Sequence, residues 1–476
     1  MNEPRRATRL KDVAAVIDQR PLPPGDPFYF DIAAGRGSDH LKRLRFRLLE
    51  FAEAEGRFAK ILVTGHRGCG KSTELLRLEH EVKHKFTSLH LYAEESLLSD
   101  YQYPDLFLWI AGGLVEKFEA EGLKMNPGLM DDIARWFEDV SREDVRDIKK
   151  EIGVEAGVSV EGRLATPWSA VKAFAKLKSK FIGSESSRTV IRNKLKKELD
   201  DLIGRLNTLL GEAAATLKRN NRPDDLLIVV DDLDRLAPEA AQKFFLDAEL
   251  LNKPQAHMIY TVPIATNLPP DATPANFGPP LTIPMIKVRA RKRPGKKLIQ
   301  EGAMSRSKRG IDALVGLVGQ RIDIDAVFTS RGAVELLAEM SGGKIRDLMR
   351  LLSEAELSAR VDEKERIDLE DAKRACKELR LDFKRRLSLV QLYFPMLAMI
   401  HRTKGKRLVP VGEVEHWDDA KLQRRFNQFL AGGYVLEYNG DDIWYDVHPI
   451  IQEIPEFKEA LADAEAQEAG PAAKTE

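Results

Sequence analysis

The apolar positions along this chain alternate between short unbroken runs and helical stripes. Ile61, Leu62 and Val63 form one run, and after a glycine-rich turn a helical pattern covers 73–82. Residues 88–92 read as a second strand. Upstream, Leu41, Leu44, Leu48 and Phe51 share one face of a helix predicted over about 38–56. Residues 226–230, Leu-Leu-Ile-Val-Val, are apolar without alternation, as in a strand covered on both faces of a parallel sheet. Residues 256–264 repeat that pattern. Strands separated by helical stretches predict an α/β fold on a parallel sheet.

About 160 residues separate Lys71 from Asp231, far more than one or two βα units require. The excess, about 105–222, predicts a helical insertion. Within it, 151–160 alternates and reads as a small strand or hairpin. Ile191, Leu195, Leu199, Leu202, Leu206, Leu209, Ala213 and Leu217 form a near-heptad stripe that predicts one helix over 187–218, ~45 Å long. That stripe is either internal packing or a partner-binding coiled coil. Helical patterns return over 311–380. The segment 385–460 reads as helix, short strand at 407–409, helices over 412–431, then strands at 434–437 and 443–447 around Asn439-Gly440. Asn-Gly between aromatic-rich strands is a hairpin signal, and small helices with a terminal hairpin predict a winged helix.

Residues 65–72 read Gly-His-Arg-Gly-Cys-Gly-Lys-Ser and fill every fixed position of the phosphate-loop pattern G-x-x-x-x-G-K-[ST]. Glycines let the backbone curl so that successive N–H groups face phosphate oxygens, and the following helix adds its positive dipole end. Gly65, His66, Arg67, Gly68, Cys69, Gly70, Lys71, Ser72 and Thr73 are the expected nucleotide-binding set. Lys71 is expected to reach the β- and γ-phosphates and act in catalysis, and the Ser72 hydroxyl to complete a Mg²⁺ shell. The run at 226–230 ends in Asp231 and Asp232, at the strand edge where open α/β sheets bind ligands. Asp231 is expected to hold Mg²⁺ through water, and Asp232 to orient or deprotonate the attacking water. An acidic strand end is also an ordinary turn feature; the phosphate loop upstream makes this pair informative. ATP and Mg²⁺ are the cofactors implied.

Composition narrows the class. At 476 residues the chain suggests two to four domains. Lys+Arg and Asp+Glu are both 75, so the basic excess of a dedicated nucleic-acid binder is absent, although a local patch is compatible with that balance. The two cysteines, Cys69 and Cys376, exclude a disulfide framework or a Cys-rich metal site. Residues 1–12 carry no signal-peptide core, and the longest apolar run, 106–115, is far short of the ~20 residues that span a bilayer. A cytoplasmic protein without a membrane partner is expected. A GTPase is excluded because Asn252-Lys253-Pro254-Gln255, the nearest guanine-reading candidate, lacks the Asp.

Residues 341–352, Ser-Gly-Gly-Lys-Ile-Arg-Asp-Leu-Met-Arg-Leu-Leu, resemble the sensor 2 helix of the AAA+ superfamily, most of all its origin-recognition and helicase-loader group and the related STAND signalling ATPases. There a Gly-Gly turn opens a helix whose Arg, here Arg346, faces the γ-phosphate; Arg350 reads as part of a solvated basic stripe. Asp231-Asp232-Leu233-Asp234-Arg235 resembles the Walker B of KAP-type and other STAND ATPases. Most AAA+ motors carry Glu where this chain has Asp232, so the resemblance implies slow or partner-stimulated hydrolysis. Sensor 1 falls on Thr261, with Asn267 behind it. Arg321 lies where the superfamily places a lid Arg, either a finger for a neighbouring subunit or a lid surface residue. Gly35-Arg36-Gly37 resembles the segment that closes over adenine.

The expected organisation is a flexible leader, 1–27; a P-loop ATPase core, 28–290; a helical lid with sensor 2, 291–380; a winged helix, 385–460; and a disordered tail, 461–476. Two functions follow from the resemblance. One is a STAND-like switch or assembly ATPase acting as a homo-oligomer or with a separate effector protein, a type common in bacterial antiviral defence. The other is a DNA-binding initiator or loader, whose winged helix would present Lys421, Arg424 and Arg425, against the acidic wing residues Asp441 and Asp442.

Overall fold

The computed structural model describes residues 6–37, 39–53, 57–152, 168–246, 249–266, 277, 279–291, 304–388, 392–405, 418–439 and 443–469. The alternating stretch 151–160 (beyond 152), Asn267, the strand at 407–409 and the wing residues Asp441 and Asp442 lie outside the described residues.

The chain forms two compact units: Met1–Lys42 with Thr64–Arg77 and Thr282–Glu476, and Arg43–Val63 with Leu78–Leu281. The strands β1 (Lys60–Gly65), β2 (Phe86–Tyr92), β3 (Asp225–Asp231), β4 (His257–Pro263) and β5 (Leu281–Thr282) make a five-stranded sheet in the order β2-β3-β4-β1-β5. The chain passes from one unit to the other within β1 and β5. β2 and β3 are parallel from Phe86↔Asp225 to Tyr92↔Asp231, and β3 and β4 from Leu227↔His257 to Val230↔Tyr260. All of β4, and β3 beyond Asp225, is buried, as unbroken apolar runs require. A P-loop α/β fold is thus present.

The second unit is completed by the insertion. Tyr103–Ala120 is buried on nearly every side because its apolar run is continuous, which makes it the central helix of this unit. Pro127–Ile152, Trp168–Gly183, Glu185–Lys197 and Leu199–Arg219 accompany it. The single helix expected over 187–218 is therefore two, broken at Glu198 (φ −111°, ψ 34°). Lys194, Lys196 and Lys197 close the first and Asp200 and Asp201 open the second, so each charge suits its helix dipole. Ile191, Leu195, Leu202, Leu206, Leu209, Ala213 and Leu217 are buried in this unit's own core, which settles the stripe as internal packing.

The first unit holds β5's continuation, a small ladder of β6 (Arg289–Arg291) and β7 (Met304–Arg306), the helices Lys308–Arg321, Arg331–Met340, Ile345–Val361 and Leu369–Leu387, and a C-terminal group. That group comprises Tyr393–Thr403, Asp419–Gly432, the antiparallel hairpin of β8 (Val435–Tyr438) and β9 (Trp444–Val447), and Pro455–Ala469. The leader is not loose: Ala7 bridges Ile322, and Leu10–Ala15 forms a 3₁₀ turn packed on Ile345–Val361 with Leu10 and Val13 buried. The tail expected as disordered from 461 is helical to Ala469. No described helix is long and apolar enough to cross a membrane.

Candidate functional site

In the first unit, β1 runs into residues 65–70 and the helix Lys71–Glu81 leaves them. Gly65, Gly68 and Gly70 have φ of +150°, +82° and +98°, conformations in which a side chain is strained. Each is also crowded: an added Cβ would lie 2.6 Å from the Ile283 carbonyl oxygen at Gly65, 2.7 Å from the Arg346 Cβ at Gly68, and 3.2 Å from the Arg36 Nη2 at Gly70. The result is a backbone cradle at a helix N-terminus, the geometry that binds phosphate. Buried Lys71 donates from Nζ to the carbonyls of Gly65 (2.9 Å) and His66 (3.0 Å), so its ammonium lies over the loop. Ser72 and Thr73 are half-buried on the first turn, and the Thr73 hydroxyl accepts from the Leu22 amide (3.2 Å). Arg67 is exposed.

Three contacts within this unit tie other elements to the loop. The amide of Arg346, at the start of Ile345–Val361, donates to the Gly68 carbonyl (3.1 Å), and its exposed side chain runs along Gly68. Gly342 and Gly343 make that approach feasible: both have positive φ, and a Cβ on Gly343 would lie 1.9 Å from the Ile286 carbonyl oxygen. The Glu437 amide in β8 donates to Nε2 of His66 inside the loop (2.7 Å). Burial, with the charges of Lys344, Lys71 and His448, brings His66 down to about 3, so it is a neutral acceptor. Arg36 donates to the Cys69 carbonyl and to Glu74. Beside the Gly342-Gly343 turn, Lys344 (2.7 Å) and His448 (3.2 Å) face Asp347, and although burial opposes its charge, they hold its carboxyl well below the usual range.

The carboxylate edge belongs to the second unit. Asp231 ends β3, buried, and its Oδ1 accepts from the Asp232 amide (2.7 Å). Asp232 is half-buried with φ +64°, a left-handed conformation that a non-glycine residue adopts at a cost of roughly 1–3 kcal/mol and that concentrates at functional sites. Burial, then the charges of Asp231 and Asp234, raise its affinity for a proton, which suits a base. Asp231, Asp232 and Asp234 each offer a carboxylate oxygen, all within 4.8 Å of one another, a hard-oxygen set that fits Mg²⁺. His90 on β2 sits between Glu79 (Nδ1 to Oε1, 2.5 Å) and Asp231 (Nε2 to Oδ2, 3.6 Å). Burial works against its charge, but the two carboxylates outweigh it and hold His90 up to about 9.

Several further expected residues lie outside residues 65–73. Thr261 lies on β4, fully buried, and its hydroxyl points to the Val230 carbonyl at 3.4 Å. Arg321 is buried and not a surface residue: it donates to the Phe28 carbonyl (2.8 Å) and packs on the Phe28 ring. Arg350 pairs with Asp382 at 2.7 Å. Arg36, expected near adenine, lies against the loop backbone. Sequence reasoning missed His90, whose neighbours come from distant segments.

Residues 53–259 match the family model described as the KAP family P-loop domain. No curated protein matches the chain. Solved structures similar to it include the Aeropyrum pernix ORC2 protein in ADPNP–ADP complexes, at 12% identity, 95% of this chain and 98% of that chain covered, and a TM-score of 0.43. A Walker-type ATPase of Pyrococcus abyssi is similar at 13% identity, 94% and 99% coverage and a TM-score of 0.44. The Holliday junction branch migration motor RuvB of Thermotoga maritima is similar at 12% identity, 88% and 96% coverage and a TM-score of 0.34. This chain carries a P-loop NTPase domain, similar over 53–259 to that of the KAP family.

Proposed function

We propose that the protein is a Mg²⁺-dependent ATPase that works as a STAND-type molecular switch. The observation that carries this reading is the direct bonding of the phosphate loop to two other elements: the lid helix through Arg346 to Gly68, and the C-terminal hairpin through Glu437 to His66. A nucleotide that alters the loop alters both contacts, and the difference between ATP and ADP affinities for the two arrangements supplies the switching free energy. The loop amides and Lys71 bind the β- and γ-phosphates, Ser72 and Asp231 would hold Mg²⁺, which neutralises phosphate charge when bound, and Asp232 takes the proton of the attacking water. The exposed Arg346 side chain is the group that distinguishes ATP from ADP.

The switch acts in the cytoplasm through a winged helix that signals to a homo-oligomeric neighbour or a separate effector protein, as in bacterial antiviral defence. The DNA-loader alternative draws on Lys421 and Arg424, which are exposed on Asp419–Gly432; Arg425 is instead held by Tyr393. Limited proteolysis tests the switch: cleavage patterns with ATP and with ADP should differ in the wild type and converge in Arg346→Ala. A variant that keeps the wild-type difference would remove Arg346 from the mechanism, and salt-sensitive DNA binding by the full chain would favour the loader.

A further inference from the structure

Arg36 ends the four-residue helix Ala33–Arg36, and Gly37, with φ +72°, turns the chain away behind it. Its side chain is 1% exposed. Nη2 donates to the carbonyl of Cys69 at 2.5 Å, and Nη1 donates to Oε1 of Glu74 at 2.9 Å and lies 3.1 Å from Nε2 of His40. Glu74, on the first turn after the loop, is itself buried. A buried guanidinium is tolerated only when paired and hydrogen-bonded, and here one fork joins a loop carbonyl to the helix that follows the loop.

That attachment has a directional consequence. In a trans peptide the carbonyl of one residue and the N–H of the next lie in one rigid plane and point in opposite directions within it. With the Cys69 carbonyl drawn toward Arg36, the Gly70 N–H is directed away from it. Gly70 is the second fixed glycine of the phosphate-loop pattern, and with φ +98° and Arg36 Nη2 3.2 Å from the place of a Cβ, a side chain there would be strained and tightly fitted. The loop is otherwise soft, because Gly65, Gly68 and Gly70 restrict their own torsions least. A planar fork reaching two acceptors at once supplies the stiffness, which a single ammonium does not match.

We infer that Arg36 is a positioning residue of the phosphate loop: by anchoring the Cys69 carbonyl to the Glu74 carboxylate it holds the Gly70 amide toward a bound phosphate and sets nucleotide affinity, without entering the chemical step. The inference rests on the nucleotide reading above. Preorganisation of this kind acts on ground state and transition state alike, so its loss appears in binding and in KM with kcat preserved.

The test uses the full chain with Arg36→Met, Arg36→Lys and Lys71→Ala. Expected for Arg36→Met is ATP binding weakened about tenfold or more by calorimetry, from the loss of a charged hydrogen bond, with kcat at saturating ATP within about threefold. Without nucleotide, amide hydrogen exchange should quicken in 65–72 and stay unchanged in 308–321, which packs on helix 33–36 through Gly35 and Ala313 and would loosen if Arg36 were merely structural. Should Arg36→Met fail to melt cooperatively, Arg36→Lys decides: it keeps a charge beside Glu74 but cannot also hold the Cys69 carbonyl, so weaker ATP binding at wild-type melting temperature is expected. Wild-type ATP affinity in either variant that folds overturns the inference, as does uniform loss of exchange protection. ATP binding retained by Lys71→Ala would instead overturn the nucleotide reading itself.

Discussion

The helical insertion and the neighbourhood of the phosphate loop are both well buried, by contrasting chemistry. Between Tyr103 and Arg219 the buried side chains are mainly aliphatic and aromatic: Phe107, Phe118, Phe137, Phe174 and Phe181 pack with Leu202, Leu206 and Leu209, and among the described residues there the buried charges are the ion pair of Arg192 with Asp105. Around the loop the buried side chains include Arg36, His66, Lys71, Glu74, Lys344, Asp347 and His448. Apolar burial is non-directional and tolerates small shifts, so it makes a scaffold. A buried polar network is stable in a few discrete arrangements and penalises any half-made one, which is what a switch needs.

The contrast can be broken by variants that affect only one side. Leu209→Ala, at a fully buried position of the insertion, should destabilise by about 2–5 kcal/mol in denaturant melts while the folded fraction binds ATP normally; altered ATP affinity would show that the insertion is not merely scaffold. Lys71→Ala should do the reverse, weakening ATP binding by about 2–3 kcal/mol in calorimetry with little change in melting. Asp232→Asn should leave ATP binding intact and slow hydrolysis about tenfold or more, since a neutral amide does not accept the proton; equal turnover would assign the base elsewhere.

Acid should act on the polar side. His66 titrates near 3 when folded and near 6.5 when unfolded, so the unfolded chain binds more protons between those values. The stability that neutral His66 contributes is present above about pH 6.5 and lost as pH falls toward 3. His66→Asn should therefore show a fall in melting temperature between pH 6.5 and 4.5 shallower than the wild type's by about 2–4 °C; parallel curves would mean that His66 is not held neutral. The smallest effect belongs to Arg350→Ala, under about 1 kcal/mol and without consequence for ATP, because its partner Asp382 is a partly exposed surface acid.

What the sequence revealed divides along the same line. β3 and β4 were legible because burial on both faces forces unbroken apolar runs, and the Gly342-Gly343 turn because both residues take positive φ and Gly343 meets the Ile286 carbonyl where no Cβ fits. The insertion was legible as helical, but the break at Glu198 turns on cap electrostatics that a continuing apolar stripe conceals. The leader's docking had a signal, Leu10, Val13 and Val16 at intervals of three, hidden by the prolines that follow. The polar contacts were not legible, since Arg36 with Cys69, His66 with Glu437 and His90 with Asp231 join segments whose proximity only the fold decides.

The most direct test of nucleotide-driven switching is amide hydrogen exchange of the hairpin peptide 435–447 in the wild type and in His66→Phe, each without nucleotide, with ADP and with a non-hydrolysable ATP analogue. The wild-type hairpin should exchange at rates that depend on the nucleotide, because its Glu437 amide is bonded to a residue of the phosphate loop, and His66→Phe should abolish that dependence while still binding ATP. Hairpin exchange that is the same in all three nucleotide states of the wild type, at saturating ligand, would contradict the switch.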